Sequence, residues 1–407
     1  MTLDQVQTVA CAGLVLFLGY AIRRIVPVLA RYNIPAPVVG GLVVASLVSV
    51  AHVSGRTPVT FDTGLQAPLM IAFFTSIGFG ASVGLLRVGG PAVALFFGLS
   101  TAMAVVQNAL GAAAAWSLGQ PPLMGVLAGS VTLTGGPATG LAFAPLFEQA
   151  GVPGAATLAV AAAMVGIVSG GLVGGPVGTR LVARAGRLGR TASGDESDRV
   201  AAHVVEERLP EPAAEAPKGE DVESYALLKT IVLILTAMWA GSWLTAGFAA
   251  LGATLPAYIG AMLVAAVLRN LDDATGAIGI SQRLVDDLGN SALALFLVIA
   301  LMTLRLWDLV GLALPLAVML VLQVAAIVVA AQAVFRWMGR DYEAAVISSG
   351  FCGFMLGTTA NAMANMDALA QRYGPAPKAF LVVPMVGAFF IDFTNALLIT
   401  VCLNIWR

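Results

Sequence analysis

The chain has 407 residues, 59% of them hydrophobic and 11% charged, with a formal net charge of −1. A soluble domain carries about 25% charged residues. With a mean hydropathy of +0.91, this is a polytopic membrane protein, not a soluble enzyme, and it has no basic surface for nucleic acid. Three cysteines and two distant histidines, His52 and His203, give no disulfide framework, metal cluster or histidine relay. No GxxxxGK[ST] loop is present, so the chain has no ATPase of its own.

In chain order, apolar spans are expected at 5–22, 35–53, 64–86, 91–117 and 155–182. The first is not expected to be a signal peptide, because Asp4 precedes it, no Lys or Arg does, and no clear cleavage site follows. A polar stretch at 186–223 follows, with Glu206, Glu207, Pro210 and Pro212. It cannot bury an apolar face and is expected to be a disordered cytoplasmic linker. Spans resume at 226–247, 252–268, 288–304, 309–335 and 378–403. With the N-terminus outside, only Arg56, Arg305 and Arg407 of the 21 Lys and Arg fall outside. This bias fixes the expected orientation, with both termini periplasmic.

The two halves repeat. Ile34-Pro35-Ala36 recurs as Leu255-Pro256-Ala257, Gly129 as Gly350, and Met164-Val165-Gly166 as Met385-Val386-Gly387. Each offset is 221 residues (257 − 36, 350 − 129, 385 − 164). Five spans per half make the second half inverted, as in many secondary transporters. The expected fold is all-α: ten transmembrane helices in two inverted five-helix repeats, each with a re-entrant hairpin before its last helix. The domain reading is 1–185, linker 186–223, and 224–407.

The hairpins are read at 121–147 and 343–369. The first contains GSVTLTGGPATG (129–140), too polar and too Gly-rich for an ordinary span. Inside a bilayer, irregular backbone survives only where protein or a wet cavity surrounds it. Gly135 and Gly136 permit a tight turn, and Ser130, Thr132, Thr134 and Thr139 offer hydroxyls. The second contains GFCGFMLGTTAN (350–361), with Gly353, Gly357, Thr358, Thr359 and Asn361. Helix N-termini at such breaks attract anions, and unwound carbonyls suit Na⁺. No span carries an Arg or Lys at its middle, so an anionic substrate is expected to be held by backbone N–H groups and hydroxyls.

Asp392, in FFIDFTNAL, is an intramembrane acid and a functional candidate by default. Asn395 shares its helix face. Thr134, Asn365, Asp392 and Asn395 are the candidate Na⁺ ligands. Gln107 and Asn108, and Gln323 and Gln332, are read as supports between helices. Gly170, Gly171, Gly174 and Gly175 are read as close helix packing. Cys352, beside Gly353, is expected to meet water if the second hairpin lines a wet path.

Several stretches resemble the sodium/glutamate symporter family: YNIPAPVVGG (32–41), FDTGLQAPLMIAFFTSIGFGAS (61–82), TLTGGPATG (132–140), GRDYEAAV (339–346), CGFMLGTTANAMANM (352–366) and RYGPAPKAFLVVPMVGAFFIDF (372–393). The resemblance implies Na⁺-driven uptake of L-glutamate or a related small anion, no cofactor beyond the coupling ion, and a homodimer in the bacterial inner membrane. Gly135, Gly136, Thr139, Gly353, Gly357 and Thr359 keep the family's hairpin pattern. Pro137, Phe351, Met355 and Asn361 depart from it. Two other readings of the same residues are a cation/proton antiporter working through Asp392 and a passive channel built from two hairpins.

Overall fold

A computed structural model describes residues 2–55, 59–187, 221–250, 256–309, 311–387 and 390–406. Apart from one bridge between Thr2 and Thr60, these residues form helices and turns. In order they are α1 (Gln5–Ile25), α2 (Pro27–Arg31), α3 (Ala36–Val53), α4 (Gln66–Phe79), α5 (Val83–Ser117), α6 (Pro122–Val126), a wide turn (Leu127–Val131), α7 (Gly136–Gln149) and α8 (Ala155–Arg187). Then come α9 (Val222–Ala250), α10 (Ala257–Thr275), α11 (Gln282–Met302), α12 (Ala313–Trp337), α13 (Tyr342–Leu356), α14 (Thr359–Tyr373), α15 (Pro377–Gly387) and α16 (Phe390–Ile405). Among the described residues, seven helices are long and apolar enough to cross a bilayer, or eight if α15 and α16 form one bent span. The linker read at 186–223 lies outside the described residues except at its ends.

Local chemistry sets the ends. Asp4 caps α1: its carboxylate accepts the Gln7 N–H at 2.8 Å, and the Gln7 side chain accepts the Asp4 N–H at 3.1 Å. Arg23 and Arg24 occupy the last turn, where the helix dipole favours cations. Pro35 and Pro256 stand just before α3 and α10 in the same extended conformation. Inside the apolar runs the helix satisfies its own backbone, as the bilayer demands.

The described residues pack as two units, Met1–Thr63 with Pro91–Gly194 and Leu297–Arg407, and Gly64–Gly90 with Asp195–Phe296. In the first unit, α1 and α3 cross with backbones in contact. A Cβ on Gly19 would collide with the Ala36 carbonyl, and one on Gly40 with the Val15 carbonyl. In the second unit, α9 and α10 cross the same way, through Gly241 and Gly260. Its core holds Phe79, Ile234, Ala237, Ala265, Ile280 and Val285, and Phe74 stacks on Tyr258 at 3.9 Å. At the polar end of α10, Asp272 accepts the N–H groups of Ile278, Gly279 and Ile280, each at 2.8 Å. Partial burial pushes its carboxyl upward, but those three donors and the Arg269 guanidinium hold it below the usual range.

The glycine contacts separate two substitutions on one helix. Gly13 of α1 has nothing within 4 Å of its would-be Cβ. Gly13→Ala is expected to leave stability unchanged or raise it by about 0.5–1 kcal/mol. Gly19→Ala has no room and is expected to lower it by about 1–3 kcal/mol. Thermal melting of the detergent-purified protein checks this. Equal melting temperatures for the two variants would mean that the α1–α3 crossing is looser than described.

Candidate functional site

Both segments read as hairpins are interrupted helices within the first unit. Pro122 starts α6, where a missing N–H costs nothing. The helix widens over Leu127–Val131 and leaves helical geometry at Gly129 (φ −100°, ψ −128°). Such wide turns often mark functional places in helices. Gly136 then takes φ +68°, a left-handed conformation suited to Gly, and Pro137 sits in the first turn of α7. In the second hairpin, Asp341 caps α13 through the Ala344 N–H at 2.7 Å. The helix ends at Gly357 (φ −161°, ψ −88°). Thr358 restarts it, its hydroxyl accepting the Asn361 N–H at 3.3 Å.

The two breaks meet. A Cβ on Gly136 would lie 3.5 Å from the Gly357 carbonyl oxygen. Gln107 of α5 ties them together. Its Oε1 accepts the Thr134 hydroxyl at 2.7 Å, and its Nε2 donates to the Met355 carbonyl at 2.9 Å. Gln323 of α12 donates to the Gln107 carbonyl at 2.7 Å. Asn108 Oδ1 accepts the Ser130 N–H at 3.1 Å. Asn395 Nδ2 donates to the Ser130 carbonyl at 2.9 Å. Gln107, Gln323, Ser130 and Asn395 are fully buried and Asn108 nearly so. The groups bonded at the breaks are thus neutral amides, hydroxyls and backbone.

The second hairpin docks on α8. Asn361 Nδ2 donates to the Ile167 carbonyl at 2.7 Å, and Asn365 Nδ2 to the Gly170 carbonyl at 3.0 Å. Both asparagines therefore share one face of α14, as their spacing suggests. Asn33, with φ +53°, donates to Asn361 Oδ1 at 3.0 Å. The sequence reading missed Asn33. Its only signal was a polar residue before Ile34-Pro35, which an ordinary turn explains as well.

A family model described as "Sodium/glutamate symporter" matches residues 1–375. The sodium/glutamate symporter of Escherichia coli (strain K12) is 42% identical over 401 residues, 98% of this chain and 96% of that protein. That of Haemophilus influenzae is 40% identical over 404 residues, 98% of this chain and 97% of the relative. The chain belongs to the sodium/glutamate symporter family. It is a transporter and not an enzyme.

Phe351 is one of the positions read as departing from the family's hairpin pattern. Here Phe351 is buried beside Phe96, with ring centroids 6.1 Å apart, and Phe354 flanks the same ring at 6.0 Å. The position thus serves apolar packing. Met355 contributes its backbone carbonyl to Gln107, and Asn361 its amide to α8.

The remaining expected residues lie in different settings. The Thr132 hydroxyl donates to the Leu127 carbonyl at 2.8 Å and so closes the wide turn. Thr139 is buried against Gly135, and Thr359 faces Gly387. A Cβ on Gly353 would meet the Ala362 nitrogen at 2.7 Å. Asp392 is half-buried, three residues before Asn395, and no hydrogen bond or ion pair joins its carboxylate to another described residue. Cys352 is fully buried in this structure, so the wet path on which its exposure was conditional does not reach it here.

The close-packing reading of the α8 glycines holds for two of the four. Gly170 faces Gly353 and Leu356, and Gly174 faces the Asn365 amide. Gly171 meets only Tyr32 at 3.5 Å, and Gly175 has nothing within 4 Å. Gly166 and Gly178 complete the line that seats the hairpin, against Leu356 and Ser349.

A Cβ at position 174 would displace the Asn365 amide from the Gly170 carbonyl. Gly174→Ala and Asn365→Ala are each expected to cost about 1–3 kcal/mol, the loss of one buried hydrogen bond. The double variant is expected to cost at least about 1 kcal/mol less than their sum, because the two share one contact. A thermal double-mutant cycle measures this. Strict additivity would dissociate Gly174 from the asparagine.

Proposed function

We propose that this chain is a Na⁺-coupled symporter of L-glutamate, working by alternating access in the bacterial inner membrane. Family membership and the names of its relatives support the reaction class. The observation that carries the proposal is the meeting of the two hairpin breaks at Gly136 and Gly357, tied by Gln107. The N-termini of α7 and α14 both start there, and helix N-termini favour anions. With no arginine clamp among the groups bonded there, substrate carboxylates would rest on backbone N–H groups, the Thr139 and Thr359 hydroxyls and the hairpin amides.

The ten-span inverted-repeat reading draws support from helix spacing. α3 and α10 begin 221 residues apart (257 − 36), α6 and α13 220 apart (342 − 122), and α8 and α15 222 apart (377 − 155). The glycine crossings follow suit: Gly19 and Gly241 differ by 222, Gly40 and Gly260 by 220 (241 − 19, 260 − 40). On this reading α1, α3, α4, α5 and α8 form one repeat. α9 to α12 and the bent α15–α16 span form the other. The Lys and Arg asymmetry supports termini outside and the linker inside. The homodimer rests on the family resemblance alone.

Purified protein in proteoliposomes is expected to accumulate L-glutamate, saturably, when Na⁺ is imposed outside. Equal flux in K⁺ and Na⁺ media, with no accumulation above equilibrium, would defeat the proposal.

Asp392 is the acid nearest Asn395 in α16. Asp392→Asn is expected to insert normally, since the insertion cost of an intramembrane acid, about 2.5–3.5 kcal/mol, falls away. Na⁺ dependence of uptake is expected to weaken. A variant with wild-type Na⁺ dependence would place Asp392 outside the coupling machinery.

A further inference from the structure

Four buried side-chain atoms around the first break lack a partner among the described residues: Ser130 Oγ, Asn395 Oδ1, Gln323 Oε1 and Asn108 Nδ2. Buried polar atoms are almost always paired, and an orphan costs about 1–3 kcal/mol. Three of these four belong to residues bonded to one another through Ser130. The fourth belongs to Gln323, bonded to Gln107, the neighbour of Asn108.

The amide orientations follow from the bonds each group makes. Asn395 must turn its Nδ2 to the Ser130 carbonyl, which leaves Oδ1 free. Gln323 must turn its Nε2 to the Gln107 carbonyl, which leaves Oε1 free. Asn108 must turn Oδ1 to the Ser130 N–H, which leaves Nδ2 free. Flipping any of these amides would set donor against donor or acceptor against acceptor. The orphan set is therefore three neutral oxygens and one donor.

Resting on the symport reading, we propose that Ser130 Oγ, Asn395 Oδ1 and Gln323 Oε1 form the binding site for the coupling Na⁺. The unwound turn beside Gly129 lets Ser130 present its hydroxyl instead of burying it in a helical ladder. The oxygens are hard and uncharged, a set that suits a monovalent cation and lacks the carboxylates a divalent ion takes. None of the three titrates, so a proton cannot substitute for the ion here. The free Asn108 donor beside them does not suit a cation. It suits an acceptor oxygen of the co-transported anion.

Ser130→Ala is the clean test, because it removes only the hydroxyl. The bonds of the Ser130 N–H and carbonyl to Asn108 and Asn395 remain. Binding of ²²Na⁺ to purified protein without glutamate is expected to weaken by at least about tenfold, the size of one lost contact to a charged group. The rise in melting temperature that Na⁺ gives the wild type is expected to shrink accordingly. The melting temperature without Na⁺ is expected not to fall. Ser348→Ala serves as control. That hydroxyl is equally buried but satisfied by the Ala344 carbonyl at 2.7 Å, and its loss is expected to leave Na⁺ affinity unchanged.

Wild-type Na⁺ affinity in Ser130→Ala, in a protein whose uptake is Na⁺-driven, overturns this site and leaves the symport reading standing. An equal loss in Ser348→Ala overturns it too. A wild-type protein that neither binds Na⁺ nor couples to it overturns both proposals.

Discussion

A broken helix inside a bilayer exposes backbone groups that lipid cannot satisfy. That constraint organises the first unit of this protein. The breaks at Gly129 and Gly357 free main-chain groups, and amide side chains from neighbouring helices take them up. Asn108 takes the Ser130 N–H, Asn395 the Ser130 carbonyl, and Gln107 the Met355 carbonyl. Asparagine and glutamine suit this work because each carries both a donor and an acceptor without charge. A charged group in the same place would need a buried counterion, at a desolvation cost of several kcal/mol.

The same constraint explains why α8 is so poor in side chains along one edge. Gly166, Gly170, Gly174 and Gly178 let the second hairpin approach until α8 carbonyls become acceptors for Asn361 and Asn365. A hydrogen bond to a helical carbonyl needs a close approach, and a Cβ in the way would prevent it. Gly171 and Gly175, one residue off this line, meet little and have no such duty. Small residues here therefore do more than bring helices together. They expose the carbonyls on which the hairpin is hung.

Much of this was legible in the sequence. The segments read as hairpins, 121–147 and 343–369, coincide with helices interrupted over 122–149 and 342–373; their re-entry into the bilayer belongs to the proposal. Polar, Gly-rich text between apolar runs pointed to these breaks, because irregular backbone in a bilayer must be surrounded by protein or water. Partners across the chain were harder. Asn33 and Asn361 are 328 residues apart, and nothing in either stretch names the other. Nor does a hydroxyl in the sequence say what it does. Ser130, Thr132 and Thr358 read alike, yet Thr132 closes a turn and Thr358 caps a helix, while the Ser130 hydroxyl is left free. Local capping competes for such groups, and only backbone geometry decides the winner. Cys352 escaped for a related reason. A hairpin that enters a membrane protein is packed on several sides, and which side is wet is a property of its neighbours.

The Ser130 carbonyl carries the last consequence. It accepts from Thr134 N–H at 3.2 Å, Gly135 N–H at 3.0 Å and Asn395 Nδ2 at 2.9 Å. A carbonyl oxygen has two lone pairs, so three donors compete for two places. Thr134 and Gly135 belong to the same hairpin and must travel with Ser130. Asn395 belongs to α16 and need not. If it leaves, the carbonyl stays satisfied by its own turn, and the cost falls mainly on the Asn395 amide. The hairpin can thus part from the last helix without stranding a backbone group in the bilayer. The Gln107 bond to Met355 has no such reserve, because no second donor to that carbonyl is described. Parting the first hairpin from α16 is therefore cheaper than parting Gln107 from the second hairpin.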